Sequence, residues 1–201
     1  MRWLLVDQLG VTLGANKLPY EFPIHANLVH LTLGLFIIAI AFDVAGTLFP
    51  LEQPILKFLS VTAIRSGFFD VGWYNLLAAA VITFFTVAAG FFEMALAWPP
   101  PNMKSAWGLE AGLTMLLHGL GGVLLLALMV GMAVWRGFQR YRWRSDAPRQ
   151  VQWSYLLVGI VIMGILYVHG TLGAQMGDEF GIHNTAAGLL LQGKNPNLLL
   201  K

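Results

Sequence analysis

Six side chains stand out in a chain that otherwise avoids charge: His25, His30, His118, His169, His183 and Glu93. An imidazole offers a lone pair to a metal or a proton to a neighbour, and a carboxylate can do either. Inside a membrane such groups are costly and by default mark functional sites. Three chemistries suit them. The first is a b-type haem held by two imidazoles from facing helices, His118 with His30 or His169. Glycine would leave room for the porphyrin: Gly34 follows His30 by one turn, Gly119, Gly121 and Gly122 follow His118, and Gly170 and Gly173 follow His169. The second is a non-haem metal ion, copper, zinc or iron, on His118, His30 and His169, with Glu93 beside them and Met115 or Met176 as soft neighbours for copper. No HExxH or ExxH spacing accompanies it. The third is a proton or quinone site in which Glu93 and a histidine exchange protons. Against all three stands a purely structural role, interhelical hydrogen bonds worth about 1 kcal/mol each.

The elements that must carry these residues follow from composition. The chain has 201 residues, 57 % hydrophobic and only 11 % charged, whereas soluble domains carry about 25 % charged residues. An all-α integral membrane protein is therefore expected, a four-helix bundle forming one domain over 1–201. Spanning a bilayer takes about 20 apolar residues, and four stretches qualify: 28–49, 74–97, 109–135 and 153–175. "FPLEQP", "WPPPNMKS" and "RGFQRYRWRSDAPRQ" separate them, and Trp73, Trp98, Trp107, Trp135 and Trp153 mark their ends at headgroup level. Residues 1–27 and 176–201 are tails. The first, broken by Asp7, Gly10, Gly14 and Pro19, lacks the apolar core and cleavage site of a signal peptide. Segment 52–73 reads as an interfacial helix or as a loop with aromatic anchors. The absence of cysteine excludes disulfides, thiolate ligands, iron–sulfur clusters and covalently attached c-type haem. A formal charge of +2 gives no reason to expect nucleic acid, and no nucleophile–base motif or phosphate-binding loop points to a hydrolase or NTPase.

Of the twelve Lys and Arg, seven lie in the connections 50–73 and 136–152 and five on the side of the termini. Five of the seven crowd into 136–149. This bias predicts that the two connections face the cytoplasm and both termini the periplasm or a thylakoid lumen. Depth then follows from about 1.5 Å of rise per residue. His25 lies at the terminal-side surface, His30 about 5 Å inside and His118 about 13 Å down. Glu93 and His169 sit near the ends of their spans on the same side, and His183 just beyond. Asp43 alone falls toward the cytoplasmic side, where it suits a helix tie to Arg136, Asn75 or Tyr74, or a place on a proton path.

"IHANLVHLTLGLFIIAIAFDVAG" resembles the opening of a bacterial family of four-helix membrane proteins, domain of unknown function 2231, whose first helix reads like LHPLLVHFPIALLLLALLLDLLG. The likeness continues in "AAGFFEMA", where the family usually has aspartate in the place of Glu93, in "LLHGLGG", and in "HGTLGAQMGDEFGIH" against a pattern near GGxLGGELVYRHGVGV. It spans roughly 22–185. His25, His30, Asp43, Glu93 and His118 match motif positions. Ala26 replaces a proline, Glu179–Phe180 replace an arginine–histidine pair, and His169 stands where the family often has glycine. Members fused to Rieske or cytochrome c modules imply membrane electron transfer.

The sequence thus leads to a small b-type cytochrome-like electron carrier or redox-complex subunit, more a carrier than a stand-alone enzyme. It would sit in a bacterial inner membrane or a thylakoid membrane, beside a respiratory or photosynthetic complex or a periplasmic redox protein. His118 is the expected ligand with His30 or His169 opposite. His25, His183 or Arg and Lys of the tails would serve haem propionates, and Glu93 would tune the potential or take up a proton. The competing class is an accessory or assembly subunit.

Overall fold

The computed structural model describes residues 12–59, 62, 64–143 and 151–200. Arg2 and the rest of the first eleven residues, Ser60, Val61 and Ala63 of the expected interfacial segment, and Arg144 and Arg149 of the basic connection lie outside the described residues. Four long helices carry the chain: α1 (Ile24–Phe58), α2 (Arg65–Leu96), α3 (Ala111–Phe138) and α4 (Trp153–Asp178). Each is long and apolar enough to cross a membrane. A π-helical turn, Gln139–Trp143, prolongs α3, and two short helices, α5 (Thr185–Leu191) and α6 (Pro196–Leu199), close the chain. Among the described residues the only β pairing is an isolated bridge between Lys104 and Glu110.

Each expected span corresponds to one of these helices, but the first break does not fall where the prolines suggested. α1 continues through Pro50 and Pro54 to Phe58. A proline inside a helix removes the bond to the carbonyl four residues earlier, which for Pro50 is that of Gly46. Arg65 supplies the replacement, its Nε donating to the Gly46 oxygen at 2.9 Å. Of segment 52–73, residues 52–58 continue α1 and 65–73 begin α2. The second break behaves as expected: α2 stops at Leu96, before Pro99–Pro101. Its connection turns tightly, with Ser105 N–H on the Leu109 carbonyl and Gly108 N–H on that of Ser105. Gly108 has φ +76°, a conformation that favours glycine.

The chain divides into two compact units, each with part of every long helix. Unit 1 comprises residues 1–26, 87–122 and 168–201, and unit 2 residues 27–86 and 123–167. The core of unit 2 is built on Phe36, Ile40, Leu76, Met129, Tyr155 and Ile162. Gly159 admits Ile40: a Cβ there would lie 2.6 Å from Ile40 Cδ1. Thr32 and Thr86 share a hydrogen bond of 3.0 Å. Lipid tails are as apolar as the core, so close packing and such polar ties, rather than removal from water, hold membrane helices together. In unit 1, Ala97, Ala111, Phe180 and Ile182 pack with Met115 and Met176. The chain after α4 folds back on that helix, Phe180 N–H donating to the Gln175 carbonyl and Ile182 N–H to that of Met176.

Candidate functional site

Three of the five histidines meet in unit 1. His25 comes from the first turn of α1, His118 from the first third of α3 and His169 from the second half of α4. The rings of His118 and His169 stack face to face, centroids 4.1 Å apart and planes within 7°. His25 stands edge-on to His118, with centroids 6.0 Å apart and planes at 88°.

Glycines create the space for this arrangement, though not in the way the sequence suggested. A Cβ on Gly90 would lie 2.8 Å from His25 Cε1, one on Gly173 2.9 Å from His118 Cε1, and one on Gly121 2.7 Å from His169 Nδ1. Each imidazole thus lies over a glycine of another helix. Gly119 is covered by Met94, whose Cε would be 2.9 Å from a Cβ there, and Gly122 faces His169 and Val87. Of the glycines expected to receive a macrocycle, Gly119, Gly121, Gly122 and Gly173 carry imidazole and thioether groups instead, whereas Gly170 is open. Gly34 has nothing within 4 Å of a Cβ position. His30 belongs to unit 2 and its side chain is exposed on α1.

Hydrogen bonding fixes the form of His118. Its Nδ1 lies 3.2 Å from the backbone oxygen of His169, and a carbonyl can only accept. Nδ1 therefore carries the proton, leaving the Nε2 lone pair of the neutral ring available. This is the arrangement that prepares a histidine for a metal, one nitrogen held by a carbonyl and the other offered. His169 Nδ1 is buried, with no hydrogen-bond partner among the described residues.

Ring separations decide which pair can share an ion. With a metal–nitrogen bond near 2 Å, the ion sits roughly 3.2 Å from each ring centroid, so two ligating rings have centroids roughly 5–6.5 Å apart. His25 and His118 fall within that range. His118 and His169, parallel at 4.1 Å, present faces rather than nitrogens to each other and do not stand as trans ligands of a haem iron. Among the described residues no group of three or more His, Asp or Glu has the geometry to hold a metal.

Glu93 has a different occupation. One carboxylate oxygen accepts from the Tyr20 hydroxyl at 2.8 Å and from the His25 backbone N–H at 3.2 Å. The second bond places a negative charge at the N-terminus of α1, where it complements the helix dipole. Burial, then the hydrogen bond and charge of Glu93, push the Tyr20 phenol above its ordinary range, so it stays a donor. His183 completes the clasp with φ +56°. Its Nδ1 lies 3.1 Å from the Asn16 carbonyl and its Nε2 2.9 Å from the Glu93 carbonyl. Asn16 in turn accepts from Leu18 N–H and donates to the Tyr20 carbonyl. Tyr20 and Asn16 were not singled out in the sequence. They lie in a segment with neither periodicity nor motif, and only the fold brings them to Glu93.

In unit 2, Asp43 takes the first of its expected partners. Arg136 grips it with two bonds, Nε to Oδ2 at 3.2 Å and Nη2 to Oδ1 at 3.1 Å, both side chains fully buried. The guanidinium lies 5.7 Å from the Phe69 ring centroid and 5.9 Å from that of Tyr155. Gly72 leaves the space for the carboxylate, a Cβ there falling 2.5 Å from Asp43 Oδ1. Asn75 instead donates to the Val71 carbonyl, and Tyr74 is exposed.

Comparison with curated proteins and with solved structures finds no match. A family model described as "Predicted membrane protein (DUF2231)" matches residues 21–186, which include α1 to α4, every histidine and Glu93. With that span of the chain matched and four apolar helices built as such a protein requires, the chain belongs to the DUF2231 family of membrane proteins.

Proposed function

We propose that this chain is a membrane electron-transfer or redox-complex subunit that holds one metal ion between His118 and His25, copper rather than haem. The observation that carries the reading is the His118 Nδ1 contact with the His169 carbonyl, which frees Nε2 toward a ligand. The 6.0 Å spacing of the His25 ring supports it. Two imidazoles in an apolar site with methionine near them suit copper(I), since thioethers favour that soft ion. Zinc takes three or four protein ligands. Met115, three residues before His118, and Met94, over Gly119, are the nearby thioethers by position. Copper would supply a one-electron couple. The chain would exclude water, fix the His118 tautomer and hold His25 through Glu93. The charge bias of the connections supports placing this site on the periplasmic or lumenal side of an inner or thylakoid membrane, within reach of a soluble redox protein or a neighbouring respiratory or photosynthetic complex.

A haem ligated by His118 and His169 does not fit the stacked rings, nor a porphyrin the covered glycines, so no step is derived through it. The test is metal content and absorbance of the detergent-purified protein, with copper(I) affinity measured by competition with a chromogenic chelator. One copper per chain is expected, lost in His118→Ala and in His25→Ala and kept in His30→Ala. His169→Ala keeps the carbonyl that orients His118 and should alter the spectrum more than the stoichiometry. A red protein with a reducible Soret band would replace this reading with the b-type cytochrome. A colourless, metal-free protein would leave the accessory-subunit role.

A further inference from the structure

The C-terminal segment "GLLLQGKNPNLLL" is amphipathic in a way that its place in a tail did not suggest. Asn184 caps α5, its side chain accepting from Ala187 N–H, and Asn195 caps α6 in the same manner. One face of α5 is committed to the protein. Leu189 is buried, and Gly188 lies so close to the Ala15 carbonyl that a Cβ would overlap it. The other residues point away: Leu190, Leu191, Leu198, Leu199 and Leu200 are exposed by 64, 81, 69, 58 and 52 %. Five large aliphatic side chains exposed within eleven residues form a patch of the kind that marks an interaction surface.

Its place in unit 1 identifies the occupant. Asn184 Nδ2 donates to the Gly177 carbonyl at 3.1 Å, so α5 begins within one side-chain bond of the last turn of the membrane-spanning α4. The outer faces of the spans in the same unit are likewise apolar and exposed, as at Phe92, Leu116, Leu120 and Val168. The leucine patch therefore continues a lipid-facing surface at the level where that surface meets the headgroups. Lys194, between the two short helices, has a stem long enough to reach water from there. We infer that α5 and α6 lie in the membrane interface with Leu190, Leu191 and Leu198–Leu200 among the acyl chains, so that the segment is a bilayer anchor and not a solvated tail. The inference is independent of the metal site, which it neither uses nor contacts.

The natural chain has no cysteine, so single cysteines at Leu191, Leu198 and Lys194 can carry a nitroxide without background. Full-length protein in phosphatidylcholine–phosphatidylglycerol vesicles would be examined by electron paramagnetic resonance with oxygen and a water-soluble nickel chelate as collision partners. Labels at Leu191→Cys and Leu198→Cys should collide several-fold more with oxygen than with nickel, and the label at Lys194→Cys the reverse. Because these side chains are exposed, the variants should insert and elute like the parent. Nickel access at 191 and 198 equal to that at 194 would overturn the anchor in favour of a solvated tail. Protection of 191 and 198 from both partners would overturn it in favour of a face covered by protein.

Discussion

In unit 2 two arginines meet carboxylates. Arg136 meets Asp43 through two hydrogen bonds between the rings of Phe69 and Tyr155, and Arg140 meets Asp70 at 2.6 Å. In unit 1 the imidazoles lean on one another and on glycine, His169 Nδ1 has no partner among the described residues, and His118 bonds the His169 carbonyl through Nδ1 and leaves the Nε2 lone pair outside that bond. Both regions are polar groups within apolar helices, yet the chemistry differs. Paired opposite charges neutralise each other, so they tie helices together. An imidazole such as His118, with Nδ1 held by a carbonyl and Nε2 outside that bond, keeps the capacity to bind. Polarity in a membrane segment does not by itself separate a tie from a site; whether each buried charge meets an opposite charge does.

Breaking the closed pair should produce the largest effect. Arg136→Leu leaves the Asp43 carboxyl buried without its partner, and removal of one partner of such a pair costs about 3–5 kcal/mol. Replacing both, Asp43→Leu with Arg136→Leu, should recover most of that loss, because the penalty lies in the orphaned polar group. Unfolding of the purified protein by denaturing detergent would measure both. Neither variant should change the copper stoichiometry if the two regions divide their work as described. Copper loss in the double variant would show that the tie also sets the site.

The glycines sharpen the contrast at the next level. Gly121→Ala would press a methyl against His169 Nδ1, where 2.7 Å is available, and overpacking of this kind costs about 1–3 kcal/mol. The stack should shift, and copper affinity should fall with it. Gly34→Ala meets nothing within 4 Å and should stabilise α1 by up to about 1 kcal/mol, the helix preference of alanine over glycine. Comparing the two by chelator competition and by unfolding separates a glycine that seats an imidazole from one that does not. Equal effects would remove the seat from the account.

The sequence showed the four spans and the gathering of histidines toward one end, because length, apolarity and depth along a helix are local quantities. It did not show rotation about the helix axis. His30 is only five residues from His25, yet it is exposed whereas His25 is half-buried, and a helix of apolar residues all round gives no stripe from which to read that. The same lack hid the use of the glycines. "HGLGG" announces space beside His118, but the ring that fills it comes from His169, on another helix. Pro50 misled for a related reason, since the donor that rescues its orphaned carbonyl, Arg65, lies fifteen positions later. Asp43 was legible because a buried carboxylate near a buried arginine has few alternatives.

Glu93 offers the finest test, since it is a unit 1 carboxylate treated in the manner of unit 2. Its bonds to Tyr20 and to the start of α1 make it a tie, whereas the sequence suggested a proton-exchanging group. Tyr20→Phe removes one of those bonds at a half-buried site and should cost about 0.5–1.5 kcal/mol, with copper stoichiometry unchanged. The pH dependence fixes the cause. The Tyr20 phenol is held above its ordinary 10.0 by burial and by Glu93, so the unfolded chain releases that proton at lower pH than the folded one. Its contribution is therefore complete below pH 10 and declines as the pH rises beyond it. Unfolding of the parent between pH 8 and 11 should show that decline, and Tyr20→Phe should lack this component while keeping whatever the other tyrosines supply. A parent and variant that lose stability in parallel above pH 10 would mean that the hydroxyl does not hold Glu93 in solution, and would return that carboxylate to the open, chemically available class.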